Sequence, residues 1–100
     1  MSDDGKLPDI TPTIGRKVWY WPSKEMLAAH GVKMSQVDPD QPLDATVVLV
    51  HTDRMVNLSA HDHMGNHCPL TSVVLRQPSD PKPQGDYCEW MPYQVKQAGD

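Results

Sequence analysis

The chain contains no phenylalanine, only two cysteines, and no apolar run near the roughly 20 residues that a membrane-spanning helix needs. The missing phenylalanine leaves three tryptophans and three tyrosines, with valine and threonine, to build ordered segments. Those residue types favour strands. Ten prolines and six glycines among 100 residues argue against a helical bundle. Clustered basic residues are also lacking. The formal charge is -4 and Arg16-Lys17 is the sole adjacent basic pair, so duplex nucleic acid is not an expected partner. Neither a membrane partner nor a glycine-rich phosphate loop is indicated. Paired carboxylates at catalytic spacing are missing too; Asp38 and Asp40 flank a proline and read as solubilising. The opening segment "MSDDGKLPDITPT" has no hydrophobic stretch of the signal-peptide kind, so the cytoplasm is the expected compartment. Cys68 and Cys88 are then expected as reduced thiols, bridged only in an oxidising setting.

What is present is alternation. One hundred residues make a single domain that buries roughly two-thirds of its unfolded surface. Residues 1–13 read as a disordered arm. "IGRKVWYWP" puts Val18 and Tyr20 on one face and Trp19 and Trp21 on the other, a first strand closed by Pro22. "SKEMLAAHG" reads as a short helix, with Ser23 as its N-cap and Gly31 as its terminator. It caps one open end of the barrel derived below. A proline-containing loop, "VKMSQVDPDQPLD", completes one long insertion. "ATVVLVHTD" is a second strand. "MVNLSAHD" is a third, with Val56, Leu58 and Ala60 inward and His61 outward. Gly65-Asn66 marks a turn, "HCPLTSVVL" returns as a fourth strand, and "YCEWMPY" is a short fifth after a polar loop. Five strands of this order, with one short helix in the first long loop, predict a mainly β fold. Closure into a small SH3-like five-stranded barrel over residues 14–95 removes the exposed edges. Residues 96–100 read as a flexible tail.

Certain stretches have a resemblance. Gly15, Arg16 and Val18; Val56, Asn57 and Leu58; Asp62 and Gly65; Thr71, Ser72 and Val73; and Trp90, Met91 and Pro92 form a pattern similar to a loosely defined group of small phage and prophage proteins. The similarity covers roughly residues 14–95. Where those proteins place Val-Phe, this chain has Ala60-His61. The group carries no assigned activity, so the resemblance implies a phage or prophage origin and a structural pattern, not a chemistry.

Two sets of side chains are candidate sites. The stretch "AHDHMGNHCP" holds His61, His63 and His67 with Cys68 beside them. Zinc needs three or four N or S ligands converging at about 2.0–2.3 Å. His61 and His63 are two apart and share a face on a regular strand, and His67 joins them if the hairpin register allows. Solvated histidines flanking a turn are the simpler account. Adjacent His67 and Cys68 face opposite ways, which spoils a thiol–imidazole pair; Cys68 is expected to pack as a small apolar residue. The second set is aromatic and lies in the first and last strands, which neighbour each other in such a barrel. Tyr20, Trp21, Tyr87, Trp90 and Tyr93 could line a groove for a proline-rich peptide or a stacked base, with the alternative that tryptophans plug the barrel.

The expected function is a non-enzymatic binding module acting on a host or phage protein or on a small ligand, without a cofactor. A minor virion or assembly component is the alternative, and a small zinc-dependent enzyme using His61, His63 and His67 is a further one. Self-association through an open barrel edge is compatible with the sequence.

Overall fold

The computed structural model describes residues 7–31 and 36–99. The expectations for residues 1–6 of the arm, residues 32–35 of the first loop and residue 100 of the tail lie outside the described residues. The elements, in chain order, are β1 (Lys17–Trp21), α1 (Lys24–Ala29), β2 (Leu43–Thr52), β3 (Met55–His61), β4 (His67–Arg76), β5 (Tyr87–Glu89) and α2 (Pro92–Gly99). The five strands close into a barrel in the order β1-β2-β3-β4-β5, as the alternation predicts. Every neighbouring pair is antiparallel except β4 and β5, which run parallel.

Alternation becomes burial along these strands. β3 reads intermediate, buried, intermediate throughout, with Val56, Leu58 and Ala60 almost wholly enclosed. β1 contributes Val18 and Tyr20, β2 contributes Leu43, Ala45 and Val47, β4 contributes Leu70, Val73 and Leu75, and β5 contributes Cys88. Closing so few strands demands strong curvature, and the register supplies it. β2 slips against β3 between Val47 and Leu49 and again between Val50 and Thr52, while β3 and β4 slip between Val56 and Leu58. Such bulges bend a strand and increase its twist. The β4 slip includes Ser72 at φ 55, the sole non-glycine with positive φ among the described residues. Asn57 steadies it by accepting the Ser72 backbone N–H at 2.8 Å.

The two barrel ends are closed differently. At one, Ser23 caps α1 through the Met26 N–H, and Leu27 inserts beside Tyr20, Leu43, Ala60 and Leu70. At the other, Ile10 and Trp90 join the core, and Gln77 sits between them with no exposed surface. The Gln77 amide nitrogen donates to the carbonyls of Ile10 (2.9 Å) and Asp53 (2.7 Å). Its oxygen accepts from Ile10 N–H (2.8 Å) and from the Trp90 indole (3.1 Å). Outside this hub, Arg54 makes a two-pronged contact with Asp80 and reaches Asp9 at 3.1 Å.

Two expectations are corrected here. Residues 7–13 do not behave as a disordered arm: Ile10 is buried on Gln77, Pro12 is buried, and Leu7 exchanges hydrogen bonds with Ser79. Residues 96–99 are not a tail but the end of α2, and the last strand stops at Glu89. Pro92 starts α2 at the first helical position, where its missing N–H costs nothing. Gln94 then reaches back to accept the Met91 N–H at 2.7 Å, half of a capping box, and donates to the Lys17 carbonyl at 3.0 Å.

Candidate functional site

The histidine-rich segment is ordered by Asp62. The Asp62 carboxylate accepts from the N–H groups of Met64 (2.9 Å) and Asn66 (2.9 Å) and from the Asn66 amide (3.0 Å). Gly65, at φ 87, supplies the left-handed residue the turn needs. Burial alone would raise the Asp62 carboxyl; these donors outweigh it and hold it below the usual carboxylate range. The turn is therefore a clamped tip.

His63 leaves the cluster at this tip. Its backbone N–H donates to the Gln36 carbonyl, its Nδ1 accepts the Asp38 N–H at 2.8 Å, and its Nε2 donates to the Pro42 carbonyl at 3.0 Å. Both ring nitrogens hold the loop before β2, so His63 is not available beside the other two. His61 and His67 do meet: they are direct register partners, with ring centroids 5.6 Å apart. Cys68 faces the other side, opposite Ala60, as strand alternation requires. The convergence of three histidines is thus corrected to a pair. Among the described residues no group of three His, Cys, Asp or Glu side chains is arranged to hold a metal ion.

Both thiols are free. Burial first, then the carboxylates of Asp86 and Glu89, push Cys88 up to about 12. Burial and Asp62 push Cys68 up as well. A thiolate nucleophile needs the opposite environment, a cation or helix N-terminus that lowers its pKa.

The aromatic set divides. Tyr20, Tyr87 and Trp90 are buried, which corrects their place on an accessible face. Tyr20 donates its hydroxyl to Asp86 at 2.8 Å; burial, and then that bond, drive its phenol well above the ordinary range. Burial, then the charge of Glu89, raises Tyr87 in the same direction. Trp90 is used by Gln77, and Arg16 lies over its ring at 5.4 Å. Trp21 is half-buried and donates to Glu89 at 2.7 Å. Tyr93 alone is well exposed, on α2.

The outward residues form a row that circles the barrel. His67 opposes His61, His61 opposes Asp44, Asp44 opposes Trp19, Trp19 opposes Glu89, and Glu89 pairs with Arg76. The row leaves β4 at its first residue and returns at its last, across a 10-residue strand. That offset is the stagger a closed barrel requires.

One arc of this row floors a cleft of 510 Å³. Trp19, Arg76 and Glu89 lie at its base with the edge of Trp90. Leu7 and Pro78 border it from one side, and Pro92, Val95 and Lys96 of α2 from the other. Glu89 is fully engaged: one oxygen accepts from Trp21 and the other from Arg76 at 3.2 Å. Arg76 also donates to the Asp80 carbonyl at 3.1 Å. The cleft therefore offers a half-exposed indole and apolar walls around a fixed ion pair. Sequence reasoning includes Trp19 among the aromatics of the first and last strands but misses Arg76, Glu89 and the α2 wall as its companions. The signal that could have found them was the pairing of the first and last strands, combined with the outward phase of Trp19.

No protein-family model, no curated protein and no solved structure matches this chain. Among the described residues, no helix is long and apolar enough to cross a membrane.

Proposed function

We propose that the protein is a non-enzymatic binding module, of phage or prophage origin as its sequence resemblance suggests, that takes a segment of a host protein or a small ligand in the cleft over Trp19. The observation that carries this reading is the cleft itself. It is concave and mostly apolar, with few polar groups, of which Arg76, Gln77 and Glu89 are already fixed in place, which is the general character of a ligand pocket. A volume of 510 Å³ falls within the usual range for such pockets. The commitments of Glu89 and of the two thiols favour binding over catalysis. Glu89 in the cleft has both oxygens occupied, and burial raises both thiols away from the reactive thiolate. The host cytoplasm is the compartment this reading assumes.

The test is a pull-down from the bacterial host with wild-type protein and with Trp19→Ala, followed by affinity measurement on any candidate. A partner or ligand bound at micromolar concentration, lost with Trp19→Ala and retained with His51→Ala, is the expected result. Absence of any specific ligand at that concentration, or indifference to Trp19, counts against the reading. Stoichiometric recovery in purified particles would assign the chain to the virion instead.

A further inference from the structure

We propose that His61 and His67 form a site for one divalent transition-metal ion of the imidazole-binding class, such as zinc, on the outer wall of the barrel. Register places the two rings. They are direct partners across β3 and β4, in the last pair before the hairpin tip, and the Asp62 clamp fixes that pair. Opposed residues on one sheet face have Cβ atoms about 4.5–5.5 Å apart, so their side chains act together. The observed centroid separation is 5.6 Å and the rings are inclined by 52°. A metal–nitrogen bond of 2.0–2.1 Å plus the half-width of the ring puts an ion about 3.2 Å from each centroid, with an angle of about 120° at the ion. The observed ring separation matches that spacing.

The surroundings assign the ring atoms. His61 Nδ1 is buried, makes no hydrogen bond, and lies 3.4 Å from Asp44 Oδ2. An enclosed nitrogen facing a carboxylate is the one that carries the proton when the other nitrogen binds a metal. That is the outer-shell arrangement that orients ligating imidazoles. His67 Nε2 is 2.8 Å from Ser59 Oγ, which leaves Nδ1 as its unengaged nitrogen. His67 thus has one nitrogen bonded to an outer partner, His61 has one facing a carboxylate, and each ring has one nitrogen left for the ion. Lys17 lies 3.1 and 3.2 Å from the two Asp44 oxygens. It offsets the carboxylate's charge, so affinity rests on the imidazoles and falls in the micromolar range. With His63 engaged elsewhere, two protein ligands hold the ion and water fills the other positions. Open coordination of this kind is exchangeable, unlike a closed four-ligand structural site.

This inference is independent of the cleft. Its test is calorimetric titration of tag-free, chelator-stripped protein with Zn²⁺, with nuclear magnetic resonance of the histidine rings as a second readout. One ion per chain at micromolar Kd is expected, with the His61 and His67 ring signals moving first. His61→Ala and His67→Ala should each weaken binding at least tenfold, and Asp44→Asn by about tenfold, the low end for loss of an outer-shell partner. His51→Ala should leave it unchanged. Both target rings are on the outer face, and circular dichroism of the variants checks that the barrel is retained. Binding weaker than millimolar overturns the proposal. So does binding that survives both histidine substitutions, or that disappears with His51→Ala.

Discussion

Gln77 illustrates how much one residue can hold without announcing itself. It is fully enclosed, and all four of its amide hydrogen-bonding positions are used, by Ile10 twice, by Asp53 and by Trp90. Truncating it strands four groups at once, three of them in buried bonds, and a buried group costs more unpaired than its bond gains. Gln77→Ala should therefore lower stability by about 3 to 5 kcal/mol in urea unfolding. Ser79→Ala, which removes exposed bonds to Leu7, should cost far less. Equal losses for the two would sink this view of the hub. Nothing in "RQPSDPKPQGD" marks Gln77, because its partners, three backbone groups and an indole, are brought in from other segments. The aromatics were opaque for a related reason. Alternation correctly places Tyr20 opposite in phase to Trp19 and Trp21, but it does not say which outward residues a later segment covers. Tyr87 is buried although it shares the outward phase of Trp21, and Trp90 follows Cys88 into the core. For the histidines, spacing gave the outward facing of His61 and the opposite facing of His67 and Cys68. The removal of His63 depended on the Asp38 and Pro42 backbone, which no local pattern ties to it.

The strands were legible because a half-buried strand must alternate, and β1 and β3 do so without interruption. The irregularities inside them were not. Three register slips cluster near Asn57, where β2 and β4 each accommodate extra residues. Barrel curvature, a property of the whole sheet, demands them, and local propensity does not encode it. Ser72 carries the strain of one slip at φ 55. A left-handed conformation costs an L-residue roughly 1–2 kcal/mol, part of which glycine's greater unfolded-state freedom offsets. Ser72→Gly should thus stabilise the protein by about 0.5 to 1 kcal/mol, read as a higher melting temperature. Ser72→Val should destabilise it. A lower melting temperature for the glycine variant would show that the serine side chain contributes something the backbone geometry does not. The helix α2 was readable in retrospect. Pro92 followed two residues later by Gln94 is a helix start, masked in the sequence by an alternation that continues to Tyr93.

At the scale of the whole molecule, the fold class followed from the strand count and the need to remove edges. The cleft did not, since it exists only where α2 and the residue 7–13 segment meet the outer row. That same closure has a kinetic side. The β2–β3–β4 meander is built from neighbours joined by tight turns, whereas β1 meets β5 across a gap of 68 residues, measured at the Trp21–Glu89 bond. Local hairpins form before long loops can close, because closure entropy is lost before the distant contacts repay it. The meander should therefore be the folding nucleus and the β1–β5 seam the last surface to form. In stopped-flow refolding, Leu58→Ala in β3 should mainly slow folding, while Gln77→Ala at the seam's end should mainly speed unfolding. The reverse partition would place nucleation at the seam. A barrel zipped last along its β1–β5 seam opens first along that seam, so the fleeting open state would expose the strand that carries Trp19 while the histidine-bearing wall stays intact.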